Sequence, residues 1–332
     1  MDVIAGLLDG PRARRAFLLR SVLVPPWSIR IQDEAPLALV AAIRGEAWVL
    51  PDSAGAIRLN KGDVVVLRGP DHYTVSDQPD TAPQALIHPD ESCTRIDGGE
   101  LDWQVGTGVR TWGNAVDGVL ESTLLVTGTY LARGAVSQRL LAALPPVVHV
   151  RYHDTETTLI EVLAAEVSKD QLGQEAVLDR LLDLVLVSTL RTWFDRHGAK
   201  SPGWYQAQSD PAVGRVLMLI QHNPEQPWTL ASLAAAVGMS RAGLARRFTH
   251  LVGEPPMTFL TTWRLALAAD LLSETSHTVE HIAHQVGYGT AFALSTAFRR
   301  ERGISPRQHR LASAQAATTE AATVQGVSSQ DQ

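Results

Sequence analysis

Two stretches in the last third of the chain share one pattern. Residues 233–256 read LAAAVGMSRAGLARRFTHLVGEPP, and residues 282–306 read IAHQVGYGTAFALSTAFRRERGISP. Phe248 of the first stretch recurs as Phe298 of the second, at an offset of about 50 residues. A repeat on this scale indicates a duplicated structural unit. The sequence therefore predicts two copies of one unit in this part of the chain.

Each copy is predicted to form a helix, a tight turn and a second helix. Gly238 and Gly287 stand where the turn between such helices needs a positive φ. Ser240 and Thr290 stand where a hydroxyl group caps the following helix. The remaining matches follow in the same order: Leu233-Ala234 with Ile282-Ala283, Val237 with Val286, Gly253 with Gly303, and Pro256 with Pro306.

One long helix, from about Met257 to Ser273, is predicted between the two units. Its inward face would carry Phe259, Trp263 and Leu267, and its length would be roughly 25 Å. A rod of this size suits two recognition helices set about one DNA turn, roughly 34 Å, apart. The alternative is a plain helical bundle, which gives no reason for matched glycines, capping hydroxyls and arginines.

The charge is unevenly distributed along the chain. The formal net charge is −6, which by itself argues against a nucleic-acid partner. From Asp210 to Leu311, however, arginines outnumber the acidic residues, and no lysine is present. Such asymmetry is typical of a phosphate-facing domain attached to one that does not bind nucleic acid.

The C-terminal segment resembles the AraC/XylS family of transcription regulators. The residues that carry the resemblance are Trp228-Thr229-Leu230, Leu233-Ala234, Gly238-Met239-Ser240, Leu244, Arg246, Phe248, Gly253, Pro256, Arg264-Leu265, Ala268, Leu271-Leu272, Ile282-Ala283, Val286-Gly287-Tyr288, Phe298, Gly303, Ser305-Pro306 and Arg310. The resemblance implies sequence-specific binding to double-stranded DNA at promoter or operator sites. RNA polymerase would be a further partner if the protein is an activator.

The second helix of each unit is expected to contact DNA. The predicted contact residues are Ser240, Arg241, Ala242, Ala245, Arg246 and Arg247 in the first unit, and Thr290, Ala291, Phe292, Ser295, Thr296, Arg299 and Arg300 in the second. Arg246 matches the family's base-reading position, and arginine pairs bidentately with guanine. Thr296 stands where the family often has arginine, so the second unit is expected to read fewer bases and to bind phosphates through Arg299 and Arg300.

Residues 1–150 read as β structure, because short apolar runs alternate with turn residues. This part is similar to the cupin-type sensor domains of such regulators through Trp27, Gly45-Glu46, Leu59, Gly62-Asp63, His72 and Leu144-Pro145-Pro146. The resemblance implies a barrel that dimerises or binds a small-molecule effector. Trp27, Trp48 and His72 are the candidate effector-binding residues.

The predicted barrel lacks the ligand set of a metal-dependent cupin. Residues 39–45, where a His-x-His pair is expected, contain no histidine, and His72 alone does not make a metal site. The sequence thus predicts no metal and no cofactor, and the missing ligands disfavour an enzyme. Three functions stay open: a regulator gated by an effector, a regulator whose barrel only dimerises or senses redox through Cys93, and a cupin enzyme with a DNA-binding appendage.

The expected architecture is therefore multidomain, α and β. A cupin-like barrel (1–150) is followed by a helical dimerisation segment (151–200), a linker (201–209), an all-α DNA-binding domain (210–312) and a disordered tail (313–332). The helix from about Glu175 to Arg196 is apolar nearly all round, so it has to be covered either by a partner subunit or by the barrel. A homodimer contact is expected from about Thr155 to Arg196, with Leu182 and Leu186 as the residues that test it; the alternative is that the helices pack within one subunit. The single cysteine, with no signal peptide or membrane-spanning stretch, predicts a cytoplasmic protein.

Overall fold

The computed structural model describes residues 18–90, 92–105, 111–115, 121–130, 135–154, 157–167, 169, 171–197 and 203–315 of the chain. They form two compact units. The first contains the β strands and the helices that end at Arg196. The second contains the helices of the C-terminal third together with a short segment around residues 135–140.

The first unit is built on two β-sheets. Its strands are β1 (Leu18–Leu23), β2 (Ser28–Ile31), β3 (Leu37–Arg44), β4 (Ala47–Pro51), β5 (Ile57–Leu59), β6 (Val64–Arg68), β7 (Tyr73–Ser76), β8 (Ala85–Ile87), β9 (Cys93–Arg95), β10 (Gln104–Val105), β11 (Thr111–Gly113), β12 (Thr123–Tyr130) and β13 (Val147–Val150). One sheet has the order β10-β11-β1-β12-β3-β6-β13, and the other has the order β5-β4-β7-β2-β8-β9.

The apolar strands are the ones that lie in the middle of the first sheet. In β3 all residues except Arg44 are buried, and β6 is buried from Val64 to Leu67. Trp27, Val49 and Leu125 come from different strands and loops and meet in one core. Strands that are apolar on both faces are expected where a sheet is covered on both sides. The cupin-like β architecture predicted from the sequence is confirmed.

Three helices accompany these strands in the chain: α1 (Ala135–Ala143), α2 (Thr157–Val167) and α3 (Gln174–Arg196). Leu182 and Leu186 of α3 are buried within their own subunit. Leu182 packs against β12 at Gly128. A Cβ atom at Gly128 would be only 3.0 Å from the Cδ1 atom of Leu182. Leu182 and Leu186 therefore do not form the expected dimer contact, because both are already buried within one subunit.

The second unit is all-helical, as predicted. Its helices are α4 (Gly203–Gln206), α5 (Val213–His222), α6 (Leu230–Ala236), α7 (Arg241–Val252), α8 (Pro256–Glu274), α9 (Val279–Gln285), α10 (Ala291–Arg302) and α11 (residues 306–315). Residues 203–209 of the predicted linker are helical. Helix α11 extends to residue 315, into the predicted tail, while residues 201–202 and 316–332 lie outside the described ranges.

No helix in the described part of the chain is both long enough and apolar enough to span a membrane.

Candidate nucleic-acid interface

The first repeat forms the predicted helix-turn-helix unit from α6 and α7. Thr229 and Ser232 make a reciprocal capping box at the start of α6, with the Ser232 N–H donating to Thr229 Oγ1 at 3.0 Å. The turn contains Gly238, whose φ of 65° is in the left-handed region. Ser240 then caps α7 by accepting the N–H of Gly243 at 3.1 Å. Local sequence signals thus set both ends of the turn.

The second repeat forms the same unit from α9 and α10. Thr278 caps α9 and Thr290 caps α10, each accepting an N–H three residues later. Gly287 lies in the turn with a φ of 82°. Gly303 caps the C-terminus of α10 with a φ of 74°, which is also left-handed, and Gly253 caps α7 in the same way. The repeat in the sequence is therefore a repeat in the structure.

Each second helix buries one face and exposes the other. Leu244 and Phe248 of α7 are fully buried, and so are Leu294 and Phe298 at the matching positions of α10. The predicted DNA-contacting residues lie away from these anchors: Ser240, Arg241, Ala242, Arg246, Arg247, Thr290, Phe292, Thr296, Arg299 and Arg300 are exposed, while Ala245, Ala291 and Ser295 are half-buried. Both helices thus present a free face of the size that enters a major groove.

Arg247 has a second role that the sequence did not indicate. Its guanidinium makes an ion pair with Asp210, with Nε 2.8 Å from Oδ2. Asp210 also accepts the N–H groups of Ala212 and Val213 at the start of α5. Burial raises the pKa of Asp210, but the N–H of Val213 and the Arg247 guanidinium outweigh it and hold the pKa below its usual value. The ion pair links α7 to the start of α5. Its two residues are 37 positions apart in the sequence, so no local sequence pattern indicates that they pair.

Helix α8 belongs to both helix-turn-helix units. Near its start, the ring of Phe259 lies against Phe248 of α7, with ring centroids 5.9 Å apart. Near its end, Leu272 lies in one core with Ile282 and Phe298. The helix has 19 residues, which corresponds to a length of about 28 Å. One continuous helix therefore carries an anchor for each recognition helix, α7 and α10.

Arg264, in the middle of α8, holds the loop that precedes the first unit. Its Nε donates to the carbonyl oxygen of Pro224 at 2.7 Å, and its Nη2 donates to that of Gln226 at 2.6 Å. The turn of the second unit lies against the same place. A Cβ at Gly287 would be 2.6 Å from both Pro224 O and Arg264 Nη2. Parts of both units thus meet at the Arg264 side chain.

Arg310 makes a similar contact for the second unit. Its Nε donates to the carbonyl oxygen of Leu272 at 3.2 Å, and its Nη2 donates to that of His277. These carbonyls lie at the end of α8 and in the loop before α9. In both units, an arginine on a later helix therefore holds the loop that leads into the helix-turn-helix.

The β unit contains a small, partly open cavity with a free volume of about 40 Å³, enough for a few water molecules. Ile31, Val40 and Leu125 form part of its apolar wall, and Asp33 and Thr127 contribute polar groups. Burial raises the pKa of Asp33, although the Ala35 N–H acts in the opposite direction. The side chain of Tyr73, another lining residue, is buried beside Asp33, and both effects raise its pKa.

The three predicted effector residues do not line this cavity. Trp27 is fully buried in the core, and Trp48 and His72 are half-buried elsewhere. Cys93 is exposed, but partial burial of its thiol raises its pKa to about 11. A raised thiol pKa disfavours the thiolate that a redox sensor needs. Among the described residues, no group of three or more His, Cys, Asp or Glu side chains is arranged to hold a metal ion.

Comparison with known protein families matches both units. Residues 2–195 match a family described as cupin, and residues 233–312 match a helix-turn-helix domain. The cupin match covers more than half of the chain.

Two relatives match this chain over nearly their whole length. Two putative AraC-like transcription regulators, from Streptomyces lividans and Streptomyces antibioticus, are each 30% identical over 315 residues, covering 93% of this chain and 98% of the relative. The regulator AlkR from Acinetobacter baylyi is 34% identical over 179 residues, covering 52% of this chain and 58% of AlkR. A solved structure of the DNA-binding domain of AdpA in complex with a target DNA is 36% identical and covers 31% of this chain and 92% of that domain, with a TM-score of 0.30.

Proposed function

Because this chain belongs to the AraC-like transcription regulators, we propose that it binds DNA through α7 and α10, placed in successive major grooves on one face of the duplex. The observation that carries the proposal is the pair of capped recognition helices, both anchored to α8 and both exposing one face. In helix-turn-helix proteins the second helix contacts the base edges. The protein acts as a regulator and catalyses no reaction.

The first unit supplies the hydrogen-bonding base reader. Arg246 is exposed on α7, and it makes no hydrogen bond or ion pair among the described residues, so its guanidinium is available for guanine. Ala242 and Ala245 offer only methyl contacts. Arg241 binds phosphate, and Arg247 exchanges part of its contact with Asp210 for phosphate when DNA is present.

The second unit supplies phosphate contacts through Arg299 and Arg300, both exposed on the last turns of α10. Its position equivalent to Arg246 is Thr296, which has no charge and a short reach. Ser240 and Thr290 set the N-termini of the two recognition helices, where backbone N–H groups favour a nearby phosphate.

The test begins with DNA fragments that the full-length protein selects from genomic DNA. Gel-shift titration of the selected site should show that Arg246→Ala weakens binding by roughly 1–3 kcal/mol and relaxes the preference at one base pair. Arg215→Ala is the matched control, because Arg215 is exposed on α5, outside both recognition helices. Equal losses in the two variants would contradict the assignment of α7 as a base reader.

The β unit is proposed to bind a small-molecule effector. Its cavity combines an apolar wall with the polar groups of Asp33 and Thr127, a mixture typical of ligand pockets. Since the free volume of this cavity is only about 40 Å³, an effector larger than a few water molecules has to displace side chains to enter it. Mass spectrometry of the denatured protein tests this proposal. A stoichiometric small molecule supports it, whereas a wild-type protein free of any ligand favours a domain that only dimerises.

A homodimer is also proposed, through a different face of α3 from the one expected. Val177 and Leu184, seven residues apart on α3, are 44% and 52% exposed. Residues at this spacing share a face of the helix. Sedimentation of Leu184→Glu should give a monomer from a dimeric wild type, and Lys61→Glu, a charge change at an exposed residue outside α3, serves as the control. A monomeric wild type at micromolar concentration would exclude the dimer.

RNA polymerase is a further partner only if the protein activates transcription.

A further inference from the structure

Phe292 is an exposed aromatic residue in the first turn of the recognition helix α10. It is 81% exposed, although Leu294 and Phe298 on the other face of the helix are fully buried. Those two residues already anchor α10, so the fold does not need Phe292 for packing. A phenyl ring left in water forgoes the stabilisation that burial gives. The exposed ring of Phe292 is therefore free to contact a partner.

The N-terminus of α10, and with it Phe292, is held in a defined place. The Thr290 side chain accepts the N–H of Ala293 at 3.2 Å. The N–H of Ala291 donates to the Glu280 carboxylate of α9 at 2.8 Å. Both contacts fix the first turn of α10 relative to the rest of the second unit. Phe292 thus projects from a fixed backbone rather than from a loop.

The surroundings of Phe292 are polar. Thr296 and Arg299, one and two turns further along the same face, are exposed. The next exposed large apolar side chain along the described chain is Ile304, past the end of α10 and about 18 Å further along the helix direction. A surface that binds another protein is expected to be a contiguous apolar patch. A single ring on a helix face that also carries a cation instead suits the major groove, where phosphates flank the bases.

The ring of phenylalanine has no hydrogen-bond donor or acceptor, so it cannot read the polar edges of the bases. The one apolar group that a standard base pair presents in the major groove is the C5 methyl group of thymine. We propose that Phe292 selects thymine at one position of the binding site by packing its ring against this methyl group. The inference rests on the proposed placement of α10 in the major groove.

The two units then read different chemistry with equivalent helices. Phe292 corresponds to Ala242 of α7 when Phe298 is matched to Phe248, and Thr296 corresponds to Arg246. The first unit has a long arginine beside a short methyl side chain. The second unit has a short hydroxyl side chain beside a large ring. The first unit therefore reads a guanine, and the second reads a thymine.

The experiment uses the full-length protein and a duplex that it has selected from genomic DNA. Each thymine of the half-site next to α10 is replaced in turn by uracil, which lacks only the methyl group. For the wild type, one replacement should weaken binding about fourfold, the factor expected when one buried methyl group is lost. Phe292→Ala should weaken binding to the thymine duplex, and it should bind the thymine and uracil duplexes equally.

Arg246→Ala is the matched control, because it weakens binding in the other unit and should keep the full thymine-to-uracil difference. Circular dichroism and thermal unfolding confirm that Phe292→Ala is folded. The inference is overturned if no uracil replacement weakens the wild type, or if Phe292→Ala retains the difference. It is also overturned if Phe292→Ala binds DNA as the wild type does, which would point to a protein partner. In each of these cases a loss in Arg246→Ala would leave the proposed function standing.

Discussion

Replacing Gly287 by alanine tests how closely the two helix-turn-helix units are joined. The φ of Gly287 is 82°, a backbone conformation that is strained for any residue with a Cβ atom. This strain lowers the stability of the folded state by about 1–2 kcal/mol. The lower entropy of the unfolded chain offsets about 0.4–1 kcal/mol of this. The new Cβ would also be 2.6 Å from both Pro224 O and Arg264 Nη2. Overpacking of this kind adds about 1–3 kcal/mol, for a total loss of about 2–4 kcal/mol.

Gly238→Ala is the matched control, since Gly238 occupies the equivalent turn in the first unit. Its φ is 65°, but a Cβ there would meet nothing within 4 Å. Only the conformational cost remains, so the expected loss is about 1 kcal/mol. Hydrogen–deuterium exchange of the α8 amides in the full-length protein measures the free energy of opening for both variants. Equal losses in the two variants would refute the close approach at Arg264.

Three further predictions concern the same unit. Arg264→Ala should make the distance between the two recognition helices less fixed. Lengthening or shortening the DNA site by one base pair should then weaken binding less for this variant than for the wild type. If the variant discriminates between the sites as strongly as the wild type does, this role of Arg264 is contradicted. The fragment 203–315 should fold and bind the selected duplex with an affinity that falls steeply with salt, because phosphate contacts release counterions; salt-independent binding contradicts it. Burial raises the pKa of Asp270 to about 6, despite the N–H groups of Ala135 and Val136. A raised carboxyl pKa means that the folded state binds the proton more tightly. Stability should therefore fall as pH rises from about 4 through about 6, and Asp270→Asn should remove this dependence in thermal unfolding.

The helix-turn-helix units could be predicted from the sequence because their signals are local. Gly238 and Gly287 mark the turns, and Ser240 and Thr290 are placed three residues before the N–H groups that they cap. Each signal acts within a few residues, so a linear pattern contains it. The matched repeat then distinguished this pattern from an ordinary helical bundle.

The contacts that join the helices could not be predicted in the same way. Arg247 pairs with Asp210 across 37 residues, and Arg264 reaches Pro224 across 40 residues. Nothing in the spacing of these residues reveals the pairing, because it depends on how the helices cross. The aromatic residue Trp27 shows a related limit, since a buried core side chain and a ligand-contacting one look alike in a β sequence.

The apolar sequence of helix α3 does not indicate which part of the protein packs against it. Leu182 and Leu186 looked like dimer contacts because the helix is apolar on nearly every side. In the structure they are buried in their own subunit, and Leu182 approaches β12 where Gly128 has no side chain. A glycine opposite a leucine is a tertiary feature, and only the fold brings the two together.

The two recognition helices are proposed to bind successive major grooves on one face of DNA. Guanine-methylation interference on the selected duplex, measured with the full-length protein, tests it most directly. If both helices bind as proposed, two regions of contact lie about one helical turn apart, roughly 10 base pairs. Interference at a guanine of one region should be lost in Arg246→Ala and retained in Arg215→Ala. A single region of contact, two regions on opposite faces, or an interference pattern unchanged in Arg246→Ala would contradict it.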